Sequence, residues 1–300
     1  MPPPSNEKRK SLMDLQAAER AKPPVPNTIV ITGQQGSGKT TLAATLFGEE
    51  VGKRLALTGE ALAKAAPITL KGAIWIEADE QGLVSLQAFK IWPEYVLSLT
   101  TLVNERNGDL PAALRDMHAY LGEAAEAGAK AMVIDTITSY GGQWLVPHYV
   151  DGADNGFAGW QTVAREQSKL LGAGHRLGLR QVWLAQPTEN KLEALAQSKA
   201  GTELDKAKAL SQSVGGGTNY VVPQIAGKAF PQVLNGQCSI SAWLRMRSVG
   251  NKRVRELLPF GGDGTQGKVR YEPVLAQKEE PDLWALDQKI IKAMGVGNKQ

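Results

Sequence analysis

Cysteine is nearly missing: Cys238 is the single thiol in 300 residues. One thiol excludes an internal disulfide framework and fits a reducing compartment. Histidine is almost as scarce, with three residues scattered along the chain, too few for a zinc site of ordinary ligand spacing. No apolar run is long enough to span a bilayer, and the N-terminal stretch has no signal-peptide core. A cytoplasmic chain with no membrane partner is expected. Neither charge is strongly in excess, with 34 Lys/Arg against 30 Asp/Glu and a net charge of +4. The excess is uneven. Residues 221–300 hold twelve basic residues against seven acidic, whereas 27–220 is slightly acidic. A basic C-terminal third can face phosphate, of nucleotide or nucleic acid, or simply water.

What is present is led by Gly33-Gln34-Gln35-Gly36-Ser37-Gly38-Lys39-Thr40, which fits G-x-x-x-x-G-K-[ST]. Its flanks match the context that motif requires. Thr28-Ile29-Val30-Ile31-Thr32 reads as a buried strand and Thr41 to Phe47 as a helix. Glycines let backbone N–H groups turn towards phosphate oxygens, and the helix start adds its positive end. Thr41 extends the loop's polar side. Lys39 would reach the β- and γ-phosphates, and the Thr40 hydroxyl would ligate Mg²⁺. ATP and Mg²⁺ are the expected ligands.

Three further strands end in polar residues. Ala73 to Ile76 runs into Glu77, Asp79 and Glu80; Lys130 to Ile134 ends in Asp135-Thr136; Gln181 to Ala185 ends in Gln186. Ligands in open α/β sheets sit at that edge. Alternating strands and helices predict an α/β chain with a mostly parallel sheet flanked by helices. Leu110–Ala127 and Trp160–Leu171 carry apolar residues at helical spacing. Residues 141–159, rich in Gly and Asp, read as a long loop. From Pro187 to Tyr220 periodicity fades after a possible helix at Leu192–Ala209, and a mobile segment with four lysines is expected. A helix broken by prolines is expected over Val221–Leu234. Cys238–Met246 and Val254–Leu258 form an antiparallel ribbon carrying Arg245, Arg247, Lys252, Arg253 and Arg255. The chain divides into a flexible arm, 1–26, a nucleotide domain, 27–260, and a tail with a terminal helix, 261–300.

Val133-Ile134-Asp135-Thr136 resembles the Walker B strand of RecA-type ATPases. Ile76 to Glu80 is similar to the strand carrying their catalytic glutamate, and Ala185-Gln186 to the strand end where a glutamine senses the γ-phosphate. More narrowly, the chain resembles small phage-encoded RecA-like ATPases of single-strand annealing and recombination, in Asp135-Thr136, Trp160 and Gly227-Lys228. The resemblance implies a RecA-like core, ATP hydrolysis and action on single-stranded DNA. It also implies a homo-oligomeric ring or filament, in the host cytoplasm if phage-encoded. By it, Asp135 holds the metal, Asp79 or Glu80 orients the water, and Gln186 reads the γ-phosphate. Asp79 stands where the family has glutamate, one methylene longer. Arg245 and Arg247, alternate residues on one strand face, are the expected cations for a neighbouring subunit's transition state, with a solvated basic edge as the bland alternative. Residues 141–159, with Trp144 and Tyr149, and 187–220 are expected to meet DNA, although both aromatics could equally be packing.

Rival readings are a GTPase, a nucleotide or small-molecule kinase, a helicase loader or motor, and an annealing protein that uses ATP only as a clamp. Asp79-Glu80-Gln81-Gly82 fits the GTPase pattern D-x-x-G, but Asn190-Lys191-Leu192-Glu193 puts Glu where guanine needs Asp.

Overall fold

Five buried residues, Thr28–Thr32, form β1. In the computed structural model, which describes residues 27–79, 81–151, 153, 155–189, 221–250, 252–262, 265–272 and 274–293, this strand lies inside a sheet of eight. The others are β2 (Ile68–Glu77), β3 (Ile91–Ser98), β4 (Ala131–Asp135), β5 (Arg180–Ala185), β8 (Ile240–Val249), β9 (Lys252–Leu258) and β12 (Lys268–Val269). Their order is β12-β8-β1-β5-β4-β2-β3, with β9 paired to β8. Every pairing from β8 to β3 is parallel; β9 and β12 are antiparallel to β8. Four short strands, β6 (Pro187–Glu189), β7 (Val221–Pro223), β10 (Gly261–Gly262) and β11 (Thr265–Gln266), make a second sheet. The fold class read from the sequence is therefore the one observed, ribbon included.

Both faces of the sheet are covered, which is why its central strands read as continuous apolar runs. The pleat sends alternate residues to opposite sides. Val30, Ile74, Ile76, Ile134 and Trp183 pack with three helices: α2 (Leu110–Glu126), α3 (Gly156–Arg176) and α4 (Ala229–Gln237). Ile29, Ile31, Trp75, Val133 and Leu184 pack with α1 (Lys39–Ala44) and α5 (Leu283–Ala293). Trp75 and Trp183 are fully buried, as core. Each fully buried Ile or Leu contributes roughly 1.5–3 kcal/mol. Asp109 caps α2 by accepting from Ala112 N–H at 2.9 Å, with Pro111 in the first turn. Asn155 caps α3, accepting from the N–H groups of Phe157 and Ala158. Gly174 lets α3 lie close on the sheet, because a Cβ there would stand 2.6 Å from the Gln181 side chain.

Several expectations change. Residues 141–159 are largely helical: a π-helix, Tyr140–Leu145, runs into Val146–Tyr149, and α3 starts at Gly156. Buried Tyr140 and Leu145 anchor this stretch, a packing gain that glycine-rich composition hides. Residues 221–234 form β7 and only then α4: Pro223 ends the strand, and Pro231 sits in the first turn of α4, where the N–H it lacks would have no partner within the helix. Gly227 adopts a left-handed φ of 81° ahead of α4, and Lys228 is its N-cap residue. The expected tail joins the core: Leu283, Leu286 and Ile290 of α5 are buried, and Arg180 forms a bidentate ion pair with Asp287. The expected arm (1–26), Glu80, and residues 190–220 with the expected helix at 192–209 lie outside the described residues. Among the described residues, no helix is long and apolar enough to cross a membrane.

Candidate nucleotide site

The loop after β1 and the ends of β2, β4 and β5 meet at one edge of the sheet. Gly33 N–H donates to Ala185 O at 3.2 Å, and Ala78 N–H to Asp135 O at 2.9 Å. Gly33 is required by a neighbour, since a Cβ there would meet Leu244 O at 2.6 Å and Ser37 Oγ at 2.7 Å. Gly36 and Gly38 are required by conformation, with φ of 75° and 93°. Gln34 and Gln35 are exposed at the loop's crest, and Ser37 is buried. Ser37 Oγ lacks a hydrogen-bond partner among the described residues. A buried hydroxyl without a partner, inside a glycine loop that leads into a helix, fits a phosphate oxygen as its missing partner. Gly38 opens α1, whose first turn holds Lys39, Thr40 and Thr41.

Lys39 is buried and its Nζ donates to the carbonyls of Gly33, at 2.7 Å, and Gln34, at 3.0 Å. The ammonium is thus held across the loop by the loop's own backbone. Burial lowers its pKa, and the charges of Asp135 and Asp79 oppose that shift. Thr40 Oγ1 donates to Asp135 Oδ2 at 2.8 Å, and Thr41 Oγ1 to Gly38 O at 2.8 Å. Asp135 is 3% exposed, and burial pushes its pKa up to about 6, against the pull of Thr40 and Lys39. A hydroxyl and a carboxylate in contact at the head of α1 are hard oxygen ligands that suit Mg²⁺, which keeps most of its water and takes phosphate oxygens besides. The Asp135–Thr136 peptide is cis.

Asp79 lies just past β2, at a bend, with Oδ1 accepting from Gln81 N–H at 3.2 Å. Its charge acts on both Lys39 and Asp135, which places it at this site. Glu77 is turned to structure: Oε1 accepts from Leu83 N–H at 3.4 Å. Gln186 follows β5, and its main chain is tied down twice. Its N–H donates to Thr138 Oγ1 at 2.9 Å, and its carbonyl accepts from Gln224 N–H at 2.7 Å.

Sequence reasoning missed Thr138 and left Trp144 open between base stacking and packing. Trp144 is partly buried, and its indole N–H donates to Ala78 O at 3.0 Å, beside Asp79. Tyr149 also packs against the core. Thr138 joins the ends of β5 and β7, since its hydroxyl also donates to Gln224 O at 2.7 Å. The arginines are distributed unequally. Arg245 borders a small cleft with Gln34, Gln35 and Ser37, but its Nε donates to Glu256 Oε2 at 2.7 Å, and Lys278 binds the same carboxylate. Arg247 is exposed near the tip of the ribbon. Arg255, ranked behind these two in sequence, is the one laid against Gly38.

No family model matches the sequence, and no curated protein matches it. Among solved structures, the chain is similar to a KaiC-like protein from the hyperthermophilic archaeon Pyrococcus horikoshii. The identity is 13%, the match covers 77% of each chain, and the TM-score is 0.38.

Proposed function

We propose that this protein binds and hydrolyses ATP and acts on single-stranded DNA in recombination or annealing, as a ring or filament of identical subunits. The observation that carries the ATPase reading is the contact of Thr40 with Asp135 beside a buried Lys39 inside a glycine loop. Main-chain N–H groups of the loop would receive the phosphates, and the Lys39 ammonium would leave its carbonyl partners for the β- and γ-oxygens. Mg²⁺, held by Thr40 and Asp135, would neutralise charge developing on those oxygens. Asp79 orients the attacking water, and Trp144 holds the bend that carries Asp79. The Gln186 side chain reads the γ-phosphate. Its main chain, tied to Thr138 and Gln224, passes the state of the site to the segment that follows.

The DNA part is supported by the resemblance and by the four lysines of 187–220, all of which lie outside the described residues. Arg245 and Arg247 serve a neighbouring subunit in this reading, Arg245 by exchanging Glu256 for phosphate. The test is ATP turnover with and without single-stranded DNA, for the parent and Lys39→Ala. DNA-stimulated phosphate release that vanishes in Lys39→Ala is expected. Transfer of phosphate to a small acceptor would indicate a kinase, and annealing that survives Lys39→Ala would reduce ATP to a modulator.

A further inference from the structure

One arginine of the basic ribbon lies on the last glycine of its own chain's phosphate loop. Arg255 lies on β9 opposite Met246 of β8, and β8 pairs with β1, so ribbon and loop belong to one sheet. Leu257, two residues on, is buried with Leu42 and Ile31 on the α1 side, and Arg255 shares that face of the pleat. Its guanidinium rests on Gly38: a Cβ there would stand 2.8 Å from both Cζ and Nε and 3.1 Å from Nη2. Gly38 leads directly into Lys39 and the first turn of α1, whose N–H groups have no partner within the helix. Among the described residues no carboxylate pairs with Arg255. Arg245, by contrast, is paired with Glu256.

A guanidinium exposed to solvent, laid on the glycine that opens α1 and with no carboxylate partner among the described residues, is placed for the anion of a ligand. Resting on the nucleotide reading above, we propose that Arg255 contacts the nucleotide in cis, donating to the α- and β-phosphate oxygens over Gly38. Its planar fork suits two oxygens at once, which a lysine ammonium does not match. The cation at the mouth of the loop then comes from the same subunit, separate from any that a neighbour adds.

The experiment is a titration of fluorescent ATP and ADP analogues with Mg²⁺ into the full chain and its Arg255→Ala, Arg255→Lys and Lys39→Ala variants. Arg255→Ala should weaken both nucleotides by the same factor, about tenfold to a hundredfold. Arg255→Lys should recover part of that loss, and the nucleotide-free thermal midpoint should stay with the parent's. Mixing Arg255→Ala chains with Lys39→Ala chains should recover no turnover beyond that of the separate variants. Parental affinity in Arg255→Ala, with binding lost in Lys39→Ala, would overturn this proposal and leave the loop reading intact. Loss confined to ATP would overturn the diphosphate contact, and turnover recovered on mixing would overturn the cis placement. Undiminished binding by Lys39→Ala would remove the loop reading itself.

Discussion

Thr40 and Asp135 stand 95 residues apart in the chain, and their side chains meet at 2.8 Å. One opens α1 and the other ends β4, two strands away from β1. Burial holds the Asp135 carboxyl at a pKa of about 6, above its usual 3.8, so the charge is costly in the nucleotide-free protein. The folded form binds the proton more tightly than the unfolded form, so this residue makes stability fall as pH rises from about 4 to 6. Asp135→Asn removes that cost and keeps the Thr40 contact. Nucleotide-free Asp135→Asn should melt no lower than the parent at pH 7, while Mg²⁺-dependent ATP turnover drops by about a hundredfold or more. Thermal melts and phosphate release read the two effects separately.

Asp79 should separate chemistry from binding. Asp79→Asn keeps size and loses the charge that orients water in the proposed reading, so kcat should fall about a hundredfold while ATP affinity changes little. Steady-state kinetics beside an equilibrium titration check this. A KM change with unaltered kcat would place Asp79 in binding.

In the same proposed reading Trp144 acts through Asp79, because it holds the carbonyl of the residue before it. Trp144→Phe keeps an aromatic body and removes only the N–H bond to Ala78 O. A drop in kcat of about tenfold with KM unchanged is expected, in contrast to the change in DNA affinity that base stacking would predict.

Four strands and the glycine loop were legible because buried parallel strands are unbroken apolar runs and the loop is a local motif. What was hidden depends on contacts between distant residues. Gly33 is pinned by Leu244 of β8, over 200 positions on. The stretch 141–159 holds breakers by composition, yet the burial of Tyr140 and Leu145 folds most of it. Arg245 and Arg247 were correctly placed on one strand face. Which arginine lies on Gly38 depends on the partner strand, where Leu257 fixes the side on which Arg255 lies.

Gly33→Ala tests that long-range packing. The added methyl would strike a backbone oxygen at 2.6 Å, which cannot rotate away. Stability should fall by roughly 2 kcal/mol or more, read by denaturant titration.

His118 supplies an acid-side signature. Burial lowers its pKa, opposed by Glu166 and aided by Lys169 and Arg176, and Nε2 lacks a partner among the described residues. The unfolded chain takes up this proton near pH 6.5 and the folded chain resists it, so stability is lost as pH falls below that value. His175 is shifted the same way. His118→Gln should therefore flatten, without abolishing, the fall in melting temperature between pH 7 and 5.

The central claim is that the loop from Gly33 to Thr41 grips a nucleotide's phosphates with main-chain N–H groups and Lys39. Calorimetric titration of Mg²⁺-ATP into the parent and into Lys39→Ala measures it directly. One site per chain, weakened at least about a hundredfold by the substitution, is the predicted result. Equal affinity in both proteins, or no binding to the parent, would contradict it.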